Sequence, residues 1–335
     1  MQTAIGFDIG RSSVKLVSIW AHKRIELLYP SAVCPAFALT DEREAARAEA
    51  ETAIINGKPW FAGHTAALQG ADDLLGGLRD DWAYSDQHSA LFLTGLRKLK
   101  DAGVPGVDTA LIVLGLPAAL HASQKSGLAQ ELARHAPRAE LRVMPQPLGP
   151  YQQLLFASDG SEQPDFKPDV TSWGVVEIGQ YTTDYALLLQ GRTIENAYGS
   201  CDGMQIAAQH LQRSLRARSF AISLSEASAL LETKSLRNYG STIDVSTEVD
   251  NAVRPLADQI VDKANQLIGK SARTLDGILV AGGGAPLVLP AMQRAWPHAR
   301  MADNPRFSVA EGFARYATAF NRYRRSRLAS TGTEG

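Results

Sequence analysis

The sequence predicts an α/β chain made of two similar domains, and three observations predict it. A motif near the start, Ile5-Gly-Phe-Asp-Ile-Gly-Arg-Ser-Ser-Val-Lys15, is echoed half a chain later by Val175-Val-Glu-Ile-Gly-Gln-Tyr-Thr-Thr-Asp184. Strand-like and helix-like runs alternate through the remainder, as layered α/β folds require. A length of 335 residues is enough for two cores. In each motif an apolar strand runs into an acid, one residue and a glycine, then a hydroxyl pair and a second strand. Asp8 thus answers to Glu177 and Gly10 to Gly179. The expected layout is two domains facing each other across a cleft, each offering a tight hairpin turn. Glycine lets such a turn bring its N–H groups close to a phosphate, and the acid beside it can hold a cation. Two ordinary hairpins with turn glycines are the alternative, and the matched pairing argues against it.

The first domain opens with strands over 4–8, 14–20 and 24–29, the first two joined through the glycine turn. Residues 31–87 are more broken and less apolar, and they read as a small insertion. Within them Asn56-Gly57 between apolar flanks marks a hairpin. Leu91, Leu93, Leu96 and Leu99 predict a helix over 89–102, stopped by Gly103. The apolar run 109–117 suits a strand covered on both faces. A helix over 126–135, a strand over 141–144, the connector Pro145-Gln146-Pro147 and a helix over 151–156 follow. Polar residues 158–169 carry the crossing, so the domains are placed at 1–150 and 151–307.

After the second motif come a helix over 203–216 and the capping box Ser223-Leu-Ser-Glu226, which opens a helix to 233. A strand over 243–245 and a long amphipathic helix over 247–268 are next. A buried strand over 276–281 runs into Gly282, Gly283 and Gly284, and a helix follows over 285–296. The closing helix 308–325 is expected to pack back on the first domain. The tail 326–335 is expected to be disordered.

Composition narrows the function classes. With 45% hydrophobic and 21% charged residues the chain reads as an ordinary globular protein, not a disordered one. A net charge of −1 gives no global reason to expect direct DNA binding. Cys34 and Cys201 lack metal-ligand spacing and read as thiols of a reducing compartment. No signal peptide is recognisable, and the most apolar later stretch, 277–292, is interrupted by three consecutive glycines and two prolines, so no membrane span is expected. A cytoplasmic protein is expected.

The glycine triplet lies between a buried strand and a helix start. Bare backbone there can lie flat against a purine and ribose, and the helix N-terminus favours a phosphate; a plain strand-to-helix turn is the alternative. Other nucleotide motifs fail. Gly269-Lys270-Ser271 has the end of a P-loop, but Ala264 replaces its first glycine and the stretch reads as helix. No dinucleotide fingerprint, zinc pattern or Gly-x-Ser-x-Gly elbow occurs, which disfavours a hydrolase triad or a metalloenzyme.

The two turns, the Pro145-Gln146-Pro147 connector, the glycine triplet and Asn304-Pro-Arg-Phe-Ser-Val-Ala-Glu-Gly-Phe313 resemble the actin–hexokinase–heat-shock ATPase superfamily. Within it the chain is most similar to the ParM/StbA group of bacterial actin-like, plasmid-segregating ATPases. The insertion with Asn56-Gly57 and Phe61-Ala-Gly63, and Leu114-Gly-Leu-Pro117, are similar to that group too. The resemblance implies an actin-like, ribonuclease H-like duplicated fold with an interdomain nucleotide cleft. It implies ATP and Mg2+ as ligands, hydrolysis coupled to filament dynamics, and head-to-tail self-assembly. It also implies a DNA-binding adaptor on a centromere-like site.

Carried over by position, Asp8, Gly10, Ser12, Ser13 and Lys15 match the first phosphate loop. Gly179, Thr182, Thr183 and Asp184, with Glu177, match the second. Gly282, Gly283 and Gly284 match the nucleoside contact. Gln146 matches the residue that orients the attacking water, a loop capping contact being its plainer reading. Asp8 and Glu177 would hold magnesium through water, so Gln146, Glu177 and Asp8 are the catalytic candidates. The chain departs from the family at two places. Glu177 replaces the usual aspartate and is one methylene longer, so a displaced magnesium water shell, an altered turnover or a retired ligand is the expectation. Val309 stands where asparagine is frequent. A sugar or acid kinase of the same superfamily and a non-polymerising ATPase switch are the rival functions. Arg322, Arg324, Arg325 and Arg327 form a basic cluster, read as a solvated helix end or as a surface for lateral contact within a filament bundle or with nucleic acid.

Overall fold

The apolar run that carries Asp8 becomes the central strand of a sheet, buried at every position (β1, Ala4–Ile9). The computed structural model describes residues 2–70 and 80–331, and the chain divides into two units, Met1–Lys167 with Phe307–Gly335, and Pro168–Arg306. In the first unit β2 (Ser13–Trp20) and β3 (Lys23–Pro30) follow β1 as an antiparallel meander. The insertion comprises β4 (Val33–Pro35), α1 (Glu42–Ala50), β5 (Thr52–Ile55), β6 (Lys58–Ala62) and α2 (His64–Gln69). Its three strands form a separate antiparallel sheet in the order β4-β6-β5. The β5–β6 turn places Asn56 at φ 51° and Gly57 at φ 75°, the left-handed pair that the Asn-Gly signal predicts. Part of the expected insertion, 71–79, lies outside the described residues.

Next come α3 (Asp86–Asp101), β7 (Leu111–Leu116), α4 (Ala118–His135), β8 (Glu140–Pro145) and α5 (Leu148–Leu155). Ser85 caps α3 by accepting from the N–H of His88, so the helix starts three residues before its apolar stripe. The sheet order is β3-β2-β1-β7-β8, with β1, β7 and β8 parallel.

The second unit repeats this topology. β9 (Trp173–Ile178), β10 (Thr182–Leu189) and β11 (Arg192–Thr193) form the meander, and β12 (Gly199–Asp202) also pairs with β10. Helices α6 (Met204–Ala217) and α7 (Leu224–Thr233) lead to the hairpin β13 (Ser235–Asn238) and β14 (Ser241–Asp244). After α8 (Ser246–Ala272) come β15 (Gly277–Ala281), α9 (Ala285–Ala295) and β16 (Ala299–Met301). β9, β15 and β16 run parallel, as β1, β7 and β8 do. A strand near 243–245 is present as β14, whereas its partner β13 is too polar to stand out in the sequence.

The closing helix α10 (Ser308–Thr331) belongs to the first unit, lying on β1 and α5. The backbones of α5 and α10 meet where both carry glycine: a Cβ on Gly312 would sit 1.7 Å from the carbonyl oxygen of Gly149. Arg315 adds to this seam, donating to the carbonyls of Gln153 (2.9 Å) and Phe156 (3.0 Å) while pairing with Glu311. These contacts explain why the units part at Lys167 and not at residue 150: α5 is held by α10. Val309, the family departure, is buried in this seam. The helix also runs past Arg325 to Thr331, so the segment expected to be disordered from 326 is helical that far. Residues 332–335 lie outside the described residues. Among the described residues no helix is long and apolar enough to cross a membrane.

Candidate functional site

Strand pairing decides what faces Asp8. In the β1–β2 ladder Asp8 stands opposite Lys15, so the two side chains share a face of the sheet. The Lys15 ammonium lies 3.1 Å from Asp8 Oδ2. The other oxygen, Oδ1, accepts from Gln146 Nε2 at 2.9 Å. Asp8 is 3% exposed, and both of its oxygens are engaged. Gln146 is held at its backbone as well: its N–H donates to Leu116 O (2.8 Å) and its carbonyl accepts from Gly149 (2.9 Å). A carboxylate accepts only, so the amide must turn its NH2 end to Asp8, and its Oε1 is the end left to accept from another donor.

Gly10 lies in the turn beyond β1, where a Cβ would come within 2.9 Å of Ser13 O and 3.0 Å of Lys15 Nζ. Ser12 is exposed and Ser13 half-buried at this turn. Ser31 ties the turn down, its hydroxyl donating to Gly10 O and its N–H to Ser12 O. Sequence reasoning missed Ser31, because only the β2–β3 register brings the end of β3 beside the turn.

In the second unit the same register gives a different chemistry. Glu177 stands opposite Asp184, an acid where the first unit has a lysine. Thr182 Oγ1 donates to Asp184 Oδ2 at 3.0 Å. The next side chain points to the other face: Thr183 is fully buried and donates to Asp202 O at 2.9 Å. Thr183 therefore faces the interior, unlike Thr182. The start of α6 is docked on the turn, with Met204 N–H on Gly179 O (3.0 Å) and Gln205 N–H on Gln180 O (2.7 Å).

The glycine triplet adjoins this turn. β15 lies beside β9 with Ala281 opposite Glu177. Gly282 has φ +85°, and a Cβ there would lie 2.3 Å from Ile178 O and 2.6 Å from Glu177 Oε1. Its N–H donates to Pro305 O and that of Gly284 to Ile178 O. Gly283, between them, is exposed, and a Cβ there would meet nothing within 4 Å among the described residues.

The sequence-predicted residues thus gather in two groups. Asp8, Gly10, Ser12, Ser13, Lys15 and Gln146 meet in the first unit. Glu177, Gly179, Thr182, Asp184 and Gly282 to Gly284 meet in the second. Among the described residues no three His, Cys, Asp or Glu side chains are grouped to hold a metal ion.

Two family models match: Actin like proteins N terminal domain over residues 6–149, and Archaeal actin homologue MreB-like, C-terminal, over residues 175–294. No curated protein matches the sequence. Among solved structures, the actin-like protein Alp7A is 14% identical with a TM-score of 0.72, the match covering 98% of each chain. A ParM from Clostridium botulinum, solved as a 15-stranded filament, is 18% identical with a TM-score of 0.67, over 94% of this chain and 99% of that one. The archaeal actin homologue Ta0583, in complex with ADP, is 17% identical with a TM-score of 0.66, over 94% and 98%. At these identities the likeness to the solved structures is one of fold. The chain belongs to the actin-like proteins, and its duplicated α/β architecture is the fold of ParM-type and archaeal actin homologues.

Proposed function

We propose that this protein binds and hydrolyses ATP and assembles head to tail into filaments that move plasmid or other mobile DNA through an adaptor. The observation that carries the reading is the duplicated acid-turn, present in both units on the same strand topology, with Gln146 bonded to the first acid. In this reading the acid-turns are the phosphate-binding elements and the glycine triplet offers bare backbone to a nucleoside. The solved ADP complex of one relative and the filament of another support the two halves of the proposal.

The donor set suits a hard divalent cation, since the acids offer oxygen and no soft ligand is involved. Direct ligation by Asp8 would compete with Lys15 and Gln146, so Asp8 and Glu177 are assigned to its water shell. When bound, magnesium neutralises phosphate charge. Lys15 adds a positive charge beside the first turn. Gln146, its NH2 end committed to Asp8, presents Oε1 to accept a hydrogen from water, which orients that water without deprotonating it. Heterologous contacts that do not close give an open filament.

The test is phosphate release and light scattering of the purified protein with ATP and magnesium, with electron microscopy of the product. Phosphate release and filaments above a critical concentration are expected. Monomers at about tens of micromolar, roughly where weak interfaces populate, would reject assembly. Transfer of phosphate to a sugar or acid would favour the kinase reading.

A further inference from the structure

Gly115 is a glycine where neither turn nor backbone calls for one. It lies inside β7, next to the central strand, where glycine costs about 0.5–1 kcal/mol relative to alanine. Its φ is not in the left-handed region. What the position requires is the missing Cβ, and the neighbours show why. A Cβ built there would stand 2.7 Å from Gln146 Cγ, 3.6 Å from Gln146 Cδ and 3.0 Å from Phe313 Cε2.

We propose that Gly115 is a positioning residue for hydrolysis: the space left by its missing side chain seats Gln146 on Asp8. This rests on the hydrolysis reading above. The Gln146 backbone cannot yield, because its N–H is bonded to Leu116 O and its carbonyl accepts from Gly149. Phe313 cannot yield easily either, being fully buried on α10 among Leu111, Val113 and Val309. The half-buried Gln146 side chain is the part free to move. A methyl at 115 therefore swings its Cγ away from β7, and the 2.9 Å bond from Nε2 to Asp8 is lost with it. The catalytic group would then be present but misplaced, a displacement of the kind that costs orders of magnitude in rate.

The experiment compares Gly115→Ala, Gln146→Ala and the double variant in phosphate release. It also follows the Gln146 side-chain amide by NMR of 15N-glutamine-labelled protein, the resonance being assigned by its loss in Gln146→Ala. The expected result is a fall in kcat of about tenfold or more in Gly115→Ala, with KM for ATP within about twofold and the amide resonance moved. The double variant should be no slower than Gln146→Ala, because both act through one side chain. Gly115→Ala/Phe313→Leu guards against misfolding: it makes room on the Phe313 side and leaves the Gln146 contact, so stability should return while kcat stays low. Losses that add, a kcat restored by Phe313→Leu, or an unmoved amide resonance would each overturn the proposal. A wild-type protein that binds ATP but releases no phosphate fails the hydrolysis reading itself. Gly115 would then be judged a seat for Gln146 by the amide resonance alone.

Discussion

Gly283→Ala separates the cost to the fold from the cost to a ligand. A Cβ at Gly283 meets nothing within 4 Å among the described residues, and its φ is not left-handed. Folding stability should therefore stay within about 0.5 kcal/mol of the wild type, as for other surface substitutions. If purine and ribose lie flat on this backbone, the added methyl enters a packed contact. Overpacking of that kind costs about 1–3 kcal/mol, a weakening of Kd by about 5- to 150-fold. Gly282→Ala should behave in the opposite way. Its φ of +85° and a Cβ 2.3 Å from Ile178 O strain the protein before any ligand arrives. A stability loss of about 2–4 kcal/mol is expected from the left-handed backbone and the clash together. Calorimetric titration with ATP and magnesium, beside urea unfolding, measures both quantities. An unchanged Kd in a fully stable Gly283→Ala protein would remove the triplet from the nucleotide site.

Gln146→Ala should leave ATP affinity nearly unchanged and slow phosphate release by about ten- to a thousandfold, with filaments persisting longer; weaker binding at an unchanged rate would make Gln146 a structural connector. Asp8→Ala should lose hydrolysis in the same assay, since it releases both Lys15 and Gln146. Burial holds the His88 imidazole down at about 3, so the folded chain stays neutral there while the unfolded chain takes up a proton below the ordinary value of 6.5. Stability should therefore fall as pH drops through that window, by about 2 kcal/mol between pH 7.5 and pH 5 in urea unfolding, and His88→Leu should flatten the slope. Glu311→Ala leaves Arg24 and Arg315 without their shared carboxylate at the base of α10. A loss of about 2–3 kcal/mol is expected in the same unfolding experiment, below the full cost of breaking a buried pair because Arg24 is 37% exposed.

The sequence by itself determined what is local. The duplicated acid-turn, the Asn56-Gly57 hairpin, the Ser223 cap of α7 and the apolar period of α8 each rest on residues a few positions apart. Their geometry follows from turn chemistry and from what a strand or helix face must bury. The duplication also made the choice of fold readable, since two copies of one turn at half-chain spacing imply two units of one topology. The candidate residues of each turn came from the same pattern. Tertiary structure decided what those residues touch. Asp8 and Gln146 meet across 138 positions because β7 lies between β1 and β8 in the sheet, and no local pattern encodes that order. The reversal from Lys15 to Asp184 opposite the two acids becomes meaningful only once the strand registers are known. Thr183 looks equivalent to Thr182 in sequence, yet the pleat sends it into the interior. The division at Lys167 depends on a helix returning from the far end of the chain to α5. The β13 strand is polar and is defined by its partner alone. A contact between distant segments depends on both of them and on every element that brings them together, so neither segment announces it alone.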